Sequence, residues 1–175
     1  MSNDGKLMEM LTGYAASHQH PFNIFVHMIG IPTIMLGVLI PLSWASTNVG
    51  DVTVSLAHVL IVGFFLFYLT LDVLFAFVFL VFAVLIAQFA GYIGNMPMAT
   101  SGTIAAAAFF GGYAAQFVGH AVEKSMPVLV KHPIQANLAA PFFTVVEVFK
   151  ILGLRDGLFN EVQAQIEQRR TQEAW

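Results

Sequence analysis

Polar and apolar positions fall in long blocks along the chain, and each block predicts an element. Residues 1–20 are polar to amphipathic. Leu7, Met8, Leu11 and Tyr14 recur there at helical spacing and predict a short interfacial helix. Pro21 stands at a natural first helical position. A strongly apolar run follows from Phe22 to Trp44, interrupted by Pro32 and Pro41, and Pro32 is expected to kink the helix or split it near Ile31. Ser46–Asp51 reads as a polar turn. The next apolar run starts near Val54 and continues almost unbroken to Ile93. About 20 residues suffice to cross a bilayer, so Thr70 and Asp72 mark a tight turn between two helices. Gly94–Gly102 reads as a loop from its Gly, Asn, Pro and Ser. The fourth run, Thr103 to Val122, has a Gly and Ala content that suits close helix packing in lipid. Asn137–Leu154 is apolar but short and carries Glu147 and Lys150. It reads as an interfacial or re-entrant helix, with a fifth crossing as the alternative. Residues 156–175 predict a soluble helix with Asp156 as N-cap and Leu158, Val162 and Ile166 on one face.

These elements predict an all-α integral membrane bundle: about four transmembrane helices, a re-entrant or interfacial helix and a C-terminal amphipathic helix. The chain is one membrane domain over 1–175, with a polar segment 1–20, a bundle 21–154 and a helix 155–175. Composition agrees, since 58% of residues are hydrophobic and only 10% charged, whereas a soluble domain carries about 25% charged residues. There is no cysteine, which excludes disulfides, zinc thiolate sites, iron–sulfur clusters and thiol nucleophiles. A net charge of -3 gives no basic field for nucleic acid. The N-terminus, with Asp4 and Glu9, does not read as a cleaved signal peptide.

Charge then orders the polar residues in space. Lys124, Lys131, Lys150, Arg155, Arg169 and Arg170 follow the fourth run, and Lys6 precedes the first. The positive-inside rule places both termini in the cytoplasm, of a bacterial inner membrane or an ER-type membrane. His18, His20, His27, Asp72, His120, Glu123, His132 and Glu147 then all gather at the cytoplasmic face, and His58 falls at the opposite one. Ionisable groups at membrane depth are costly and usually functional.

Two constellations carry candidate chemistry. The first is His18, His20, Pro21, Asn23 and His27, where Asn23 and His27 share a helix face. Imidazoles at this density beside a membrane predict a metal site, against the blander reading of histidines solvating a helix entry. The second is Gln116, His120 and Glu123, which lie on one helical stripe. Such His and Glu pairs occur in carboxylate metal sites of helix bundles, or simply satisfy one another as a buried polar pair. Asp72 reads as a cap or turn residue as well as a candidate neighbour of the site, and Glu147 as a partner of a metal-bound histidine or a snorkelling carboxylate. The residues alone leave open a metal-dependent enzyme, a small transporter with a polar relay, and a non-catalytic or haem-binding bundle with His27 opposite His120.

Together the constellations resemble the membrane family of the fungal 2-hydroxy-fatty-acid dioxygenase, the Mpo-like family. Tyr14, His18, Pro21, Asn23, His27, Gly30 and Pro32 form the first matching block. Gln116, Gly119, His120, Glu123 and Pro127, then Pro141, Phe143 and Glu147, form the second. The resemblance runs from about Tyr14 to Glu147, and between the blocks it is one of hydrophobicity only. Val128 stands where the family usually has Ala after the Pro127 position, and His20 where it often has Asn. The resemblance implies a non-haem Fe(II) dioxygenase that takes a 2-hydroxy fatty acid and O2 to a fatty acid one carbon shorter at the membrane interface. It implies His18, His27 and His120 as ligands, Glu123 as a further one, and His20 and His132 below them. Tyr14, Asn23, Asp72, Gln116 and Glu147 would surround these. Membrane lipids, the 2-hydroxy acid and O2 are the implied partners; oligomeric state is left open.

Overall fold

In the computed structural model, which describes residues 3–173, the elements in chain order are α1 (Asn3–Ala15), α2 (Pro21–Trp44), β1 (Ser46–Val49), β2 (Val52–Ser55), α3 (Leu56–Leu69), α4 (Val73–Gly94), α5 (Met98–Glu123), α6 (Val128–Lys131), α7 (Pro133–Ile151) and α8 (Asp156–Glu173). This is an all-α membrane bundle. α2, α4 and α7 are long and apolar enough to cross a membrane, while α3 is apolar but shorter. The side chains of Asn3, Asp4, Arg170, Gln172 and Glu173, and residues 1–2 and 174–175 as a whole, lie outside the described residues.

α2 is the axis of the bundle and packs most extensively on α5. The pairing is written in small residues spaced seven apart. Gly119 lies against Asn23, Gly112 against Gly30, and Ala105 against Gly37. As one number rises by seven the other falls by seven, which makes the helices antiparallel and keeps one seam in contact. A Cβ on Gly112 would lie 3.1 Å from the Gly30 carbonyl, and one on Gly37 would lie 2.6 Å from the Phe109 nitrogen. In lipid, where apolar side chains gain little by leaving their solvent, such backbone approach is what holds helices together.

An aromatic cluster fastens the remaining helices. The Tyr68 ring stands 4.7 Å from that of Phe79 and 4.9 Å from that of Phe142, and its hydroxyl donates to the Leu138 carbonyl at 2.7 Å. Pairs of this kind are worth about 0.5–1.5 kcal/mol each beyond their buried area. They join α3, α4 and α7. Large apolar side chains on the outer faces, Leu85 and Phe110 among them, are exposed and suit contact with lipid.

Several expected boundaries move. α2 is not split at Ile31; it continues through both Pro32 and Pro41. Each proline removes one backbone donor, a loss that neighbouring helices in a bundle tolerate. The expected turn at Ser46–Asp51 is part of an antiparallel hairpin pairing Ser46 with Ser55 and Val49 with Val52, turned at Gly50, whose φ of 63° requires glycine. The loop expected over Gly94–Gly102 shrinks to Asn95–Pro97, because α5 starts directly after Pro97. α7 begins at Pro133, before the expected Asn137, and buries nine residues between Ala136 and Glu147. Asp156 is the first residue of α8 and not its cap; Val162 and Ile166 are buried and Leu158 is half-buried, as their shared face predicts.

Candidate metal centre

His18 lies in the coil between α1 and α2, His27 one turn and a half inside α2, and His120 in the last turn of α5. The Gly119–Asn23 contact sets the level at which the two helices meet. It therefore brings His120 beside His27, and the coil returns His18 over both. The ring centroids are 4.3 Å apart for His18 and His27, 4.8 Å for His18 and His120, and 4.9 Å for His27 and His120. One ligand atom from each lies within 4.8 Å of the others, and all three side chains are buried. Tyr14 stacks flat on His18 at 4.1 Å.

Hydrogen bonds fix the tautomers. His18 Nδ1 donates to the Tyr14 carbonyl at 2.7 Å and His27 Nδ1 to the Asn23 carbonyl at 2.9 Å. A carbonyl only accepts, so the proton sits on Nδ1 in both. His120 Nδ1 pairs with Ser125 Oγ at 2.9 Å, and that hydroxyl itself donates to the Ser17 carbonyl, which leaves it to accept from the imidazole. In the neutral form of each ring Nε2 is therefore the lone-pair donor, the form in which a ring held through its other nitrogen binds metal. His18 Nε2 is buried with no hydrogen-bond partner among the described residues, a loss of about 1–3 kcal/mol if nothing answers it. Burial pushes the His18 imidazole down to about 3, with His27 beside it as a smaller cause, so it is neutral and available at physiological pH. A donor set of three neutral imidazoles around an orphaned Nε2 fits a divalent transition metal. It does not fit haem between His27 and His120, because the third imidazole touches both rings where a macrocycle would have to pass.

The remaining candidates do other work. Glu123 makes no hydrogen bond to the imidazoles among the described residues: Oε1 accepts the Gln19 backbone N–H at 2.8 Å and Oε2 accepts Asn23 Nδ2. Asn23 Nδ2 also donates to the Ser17 carbonyl. Glu123 thus ties the end of α5 to the start of α2. His20 is exposed and caps α2 by accepting the Phe22 N–H at 3.2 Å. His132 is exposed ahead of α7. Asp72 caps α4 through the Phe75 N–H and pairs with Arg155, whose guanidinium also lies 4.7 Å over the Phe75 ring. Glu147 is buried and its hydrogen bond runs to Lys150 at 3.4 Å, not to an imidazole. His58, at the hairpin end, bonds to Ser55 at the start of α3. Gln116 does face the site, and its Nε2 is buried without a partner among the described residues.

Ser17, Gln19 and Ser125 were not singled out from the sequence. Ser125 reaches His120 because Lys124 takes a left-handed conformation (φ 57°), folding the chain back so that Ser125 N–H also meets the His120 carbonyl at 3.1 Å. A non-glycine residue held there is mildly strained, a cost often met beside functional sites. No sequence pattern announces it.

From the imidazoles a cavity of about 280 Å³ extends between the helices to Val38 and Leu39 on α2 and Leu60 on α3. Its walls are apolar apart from the end at the histidines and the Tyr113–Asn137 pair, where the phenol donates to the amide oxygen at 2.7 Å.

Residues 5–152 match the family model described as 2-hydroxy-palmitic acid dioxygenase Mpo1-like. No curated protein and no solved structure matches the chain.

Proposed function

Because the chain belongs to the 2-hydroxy-palmitic acid dioxygenase Mpo1-like family, we propose that it is a membrane-bound Fe(II) dioxygenase that shortens 2-hydroxy fatty acids by one carbon. The observation that carries this reading is the buried His18–His27–His120 cluster, with each ring held through its Nδ1. These three residues would hold the metal. Iron(II) there would supply reactivity toward O2 and, since neutral imidazoles add no charge, an uncompensated positive charge for a carboxylate.

The chain's own residues supply the rest. The Tyr14 and Asn23 carbonyls and the Ser125 hydroxyl orient the imidazoles. Glu123, through Gln19 and Asn23, keeps the coil that carries His18 against the ends of α2 and α5. Gln116 offers an amide donor beside the triad, suited to a carboxylate or a 2-hydroxyl. The apolar walls keep bulk water from the reacting carbons. The stoichiometry closes without an external reductant: the C1–C2 bond breaks, and one O2 takes the 2-hydroxy acid to the shorter acid, carbon dioxide and water. The cations at the histidine end support placing that end at the cytoplasmic headgroups.

The test is O2 uptake by purified protein given Fe(II) and 2-hydroxypalmitate, with the fifteen-carbon acid followed by mass spectrometry. Uptake that needs both additions supports the reading. Equal product from His120→Ala, or none from the wild type with iron bound, overturns it.

A further inference from the structure

The unanswered polar atoms of the cavity lie at its histidine end: His18 Nε2 and Gln116 Nε2 are buried there without a partner among the described residues. Tyr113 and Asn137 also line it but bond to each other, and the wall is otherwise mainly aliphatic and aromatic as far as Val38, Leu39 and Leu60. A buried amide donor calls for an acceptor, and a channel with apolar walls takes apolar surface. One kind of occupant meets both, an unbranched hydrocarbon with an anionic or hydroxylated head.

The dimension can be read from α2. From His27 to Leu39 there are twelve residues, about 18 Å at 1.5 Å per residue. An extended hydrocarbon advances about 1.25 Å per carbon, from bonds of about 1.5 Å, so about fourteen carbons fill that length. The far wall is soft where Leu60 is partly exposed at 37% and Val38 is half-buried, so these two side chains set how much chain fits.

We propose that this cavity is an acyl-chain socket. A single fatty acyl chain lies inside the protein along α2, not in the surrounding bilayer; Gln116 holds its head beside the imidazoles; Val38 and Leu60 determine its length. The head group's 2-hydroxyl rests on the dioxygenase reading, but the socket does not.

The experiment uses metal-free full-length protein in lipid nanodiscs and a palmitate carrying a photoreactive diazirine at its last carbon. After irradiation, adducts are located by peptide mass spectrometry. The socket predicts adducts concentrated around residues 38–39 and 60–61 and suppressed by excess palmitate or 2-hydroxypalmitate. In Gln116→Leu the competing acid is needed at about tenfold higher concentration, the loss expected when one hydrogen bond to a charged group is removed. In Val38→Trp the best competitor is about three carbons shorter, the length an indole takes from the channel at about 1.25 Å per carbon. Leu60→Ala shifts it the other way and guards against a Val38→Trp variant that merely misfolds. Adducts spread over outward residues such as Leu85 and Phe110, or a length optimum unmoved by Leu60→Ala, overturn the socket. Adducts in place with no turnover on iron loading would sink the dioxygenase reading and leave the socket standing; turnover with outward adducts would do the reverse.

Discussion

The Glu123 carboxylate accepts the backbone N–H of Gln19 at 2.8 Å across 104 positions of sequence, and its second oxygen takes Asn23 Nδ2. Both oxygens are thus occupied by the coil and first turn that present His18 and His27. These bonds favour a positioning role for Glu123, where the family resemblance implies a ligand.

That distinction gives the first prediction. Glu123→Gln keeps a carbonyl acceptor and is expected to retain metal within about threefold of wild type, a change of under 1 kcal/mol. Glu123→Ala removes charge-assisted bonds worth about 1.5–3 kcal/mol each and is expected to lower the melting temperature and loosen the metal together. Elemental analysis and thermal unfolding of both variants check this. If Glu123→Gln binds no metal while folding normally, Glu123 is a ligand after all.

The α2–α5 seam yields a second prediction, at a distance from the site. A Cβ on Gly37 would meet Phe109 backbone, which cannot rotate away as a side chain can. Gly37→Ala should therefore cost about 1–3 kcal/mol as overpacking. It should also reduce metal retention, because the same seam sets His27 against His120. Gly63→Ala is the control. Gly63 is an exposed position in α3 with open space around its Cβ, and alanine there should be neutral or stabilise by up to about 1 kcal/mol. Melting curves of the two variants in detergent decide it.

The histidines of the centre were legible from sequence because an imidazole at membrane depth has few cheap explanations, and His18, His27 and His120 fall at one predicted level. The division of labour around them was not. Glu123 lies on the His120 stripe at a spacing that serves a ligand or a clamp equally, and only the left-handed turn at Lys124 and the coil at 16–20 separate the two. Asp72 and Arg155 are paired through tertiary folding. The hairpin escaped because strands of four residues are too short for an alternating pattern to stand out beside a turn. The α2–α5 register is visible in the numbers 23, 30, 37 against 119, 112, 105, but only once the two helices are known to be partners.

Asp72 supplies a third prediction. It accepts the Phe75 N–H at the start of α4 and holds Arg155, which leaves it no bond to the imidazoles. Asp72→Ala should cost about 1–2 kcal/mol, the usual loss of a capping side chain. Metal content and turnover per folded molecule should stay at wild-type values. Loss of metal from a variant that melts normally would move Asp72 into the centre.

The histidines themselves permit the most direct separation of ligand from bystander. A bound metal stabilises the folded state in proportion to the logarithm of its free concentration over Kd, so saturation at about 100 times Kd raises stability by about 2.7 kcal/mol. Added Fe(II), or redox-inert Zn(II), should raise the melting temperature of wild-type protein, and chelator should reverse the rise. His18→Ala, His27→Ala and His120→Ala should each abolish the metal-induced shift, because removing one of three neutral donors leaves only two. His20→Ala and His132→Ala should keep it in full. His20 accepts the Phe22 N–H at the surface, and His132 is exposed ahead of α7. Were His20→Ala to lose the shift while His18→Ala kept it, the coil at 16–20 would have to turn its other imidazole inward. The hydrogen bond from His18 to the Tyr14 carbonyl would then play no part in holding metal.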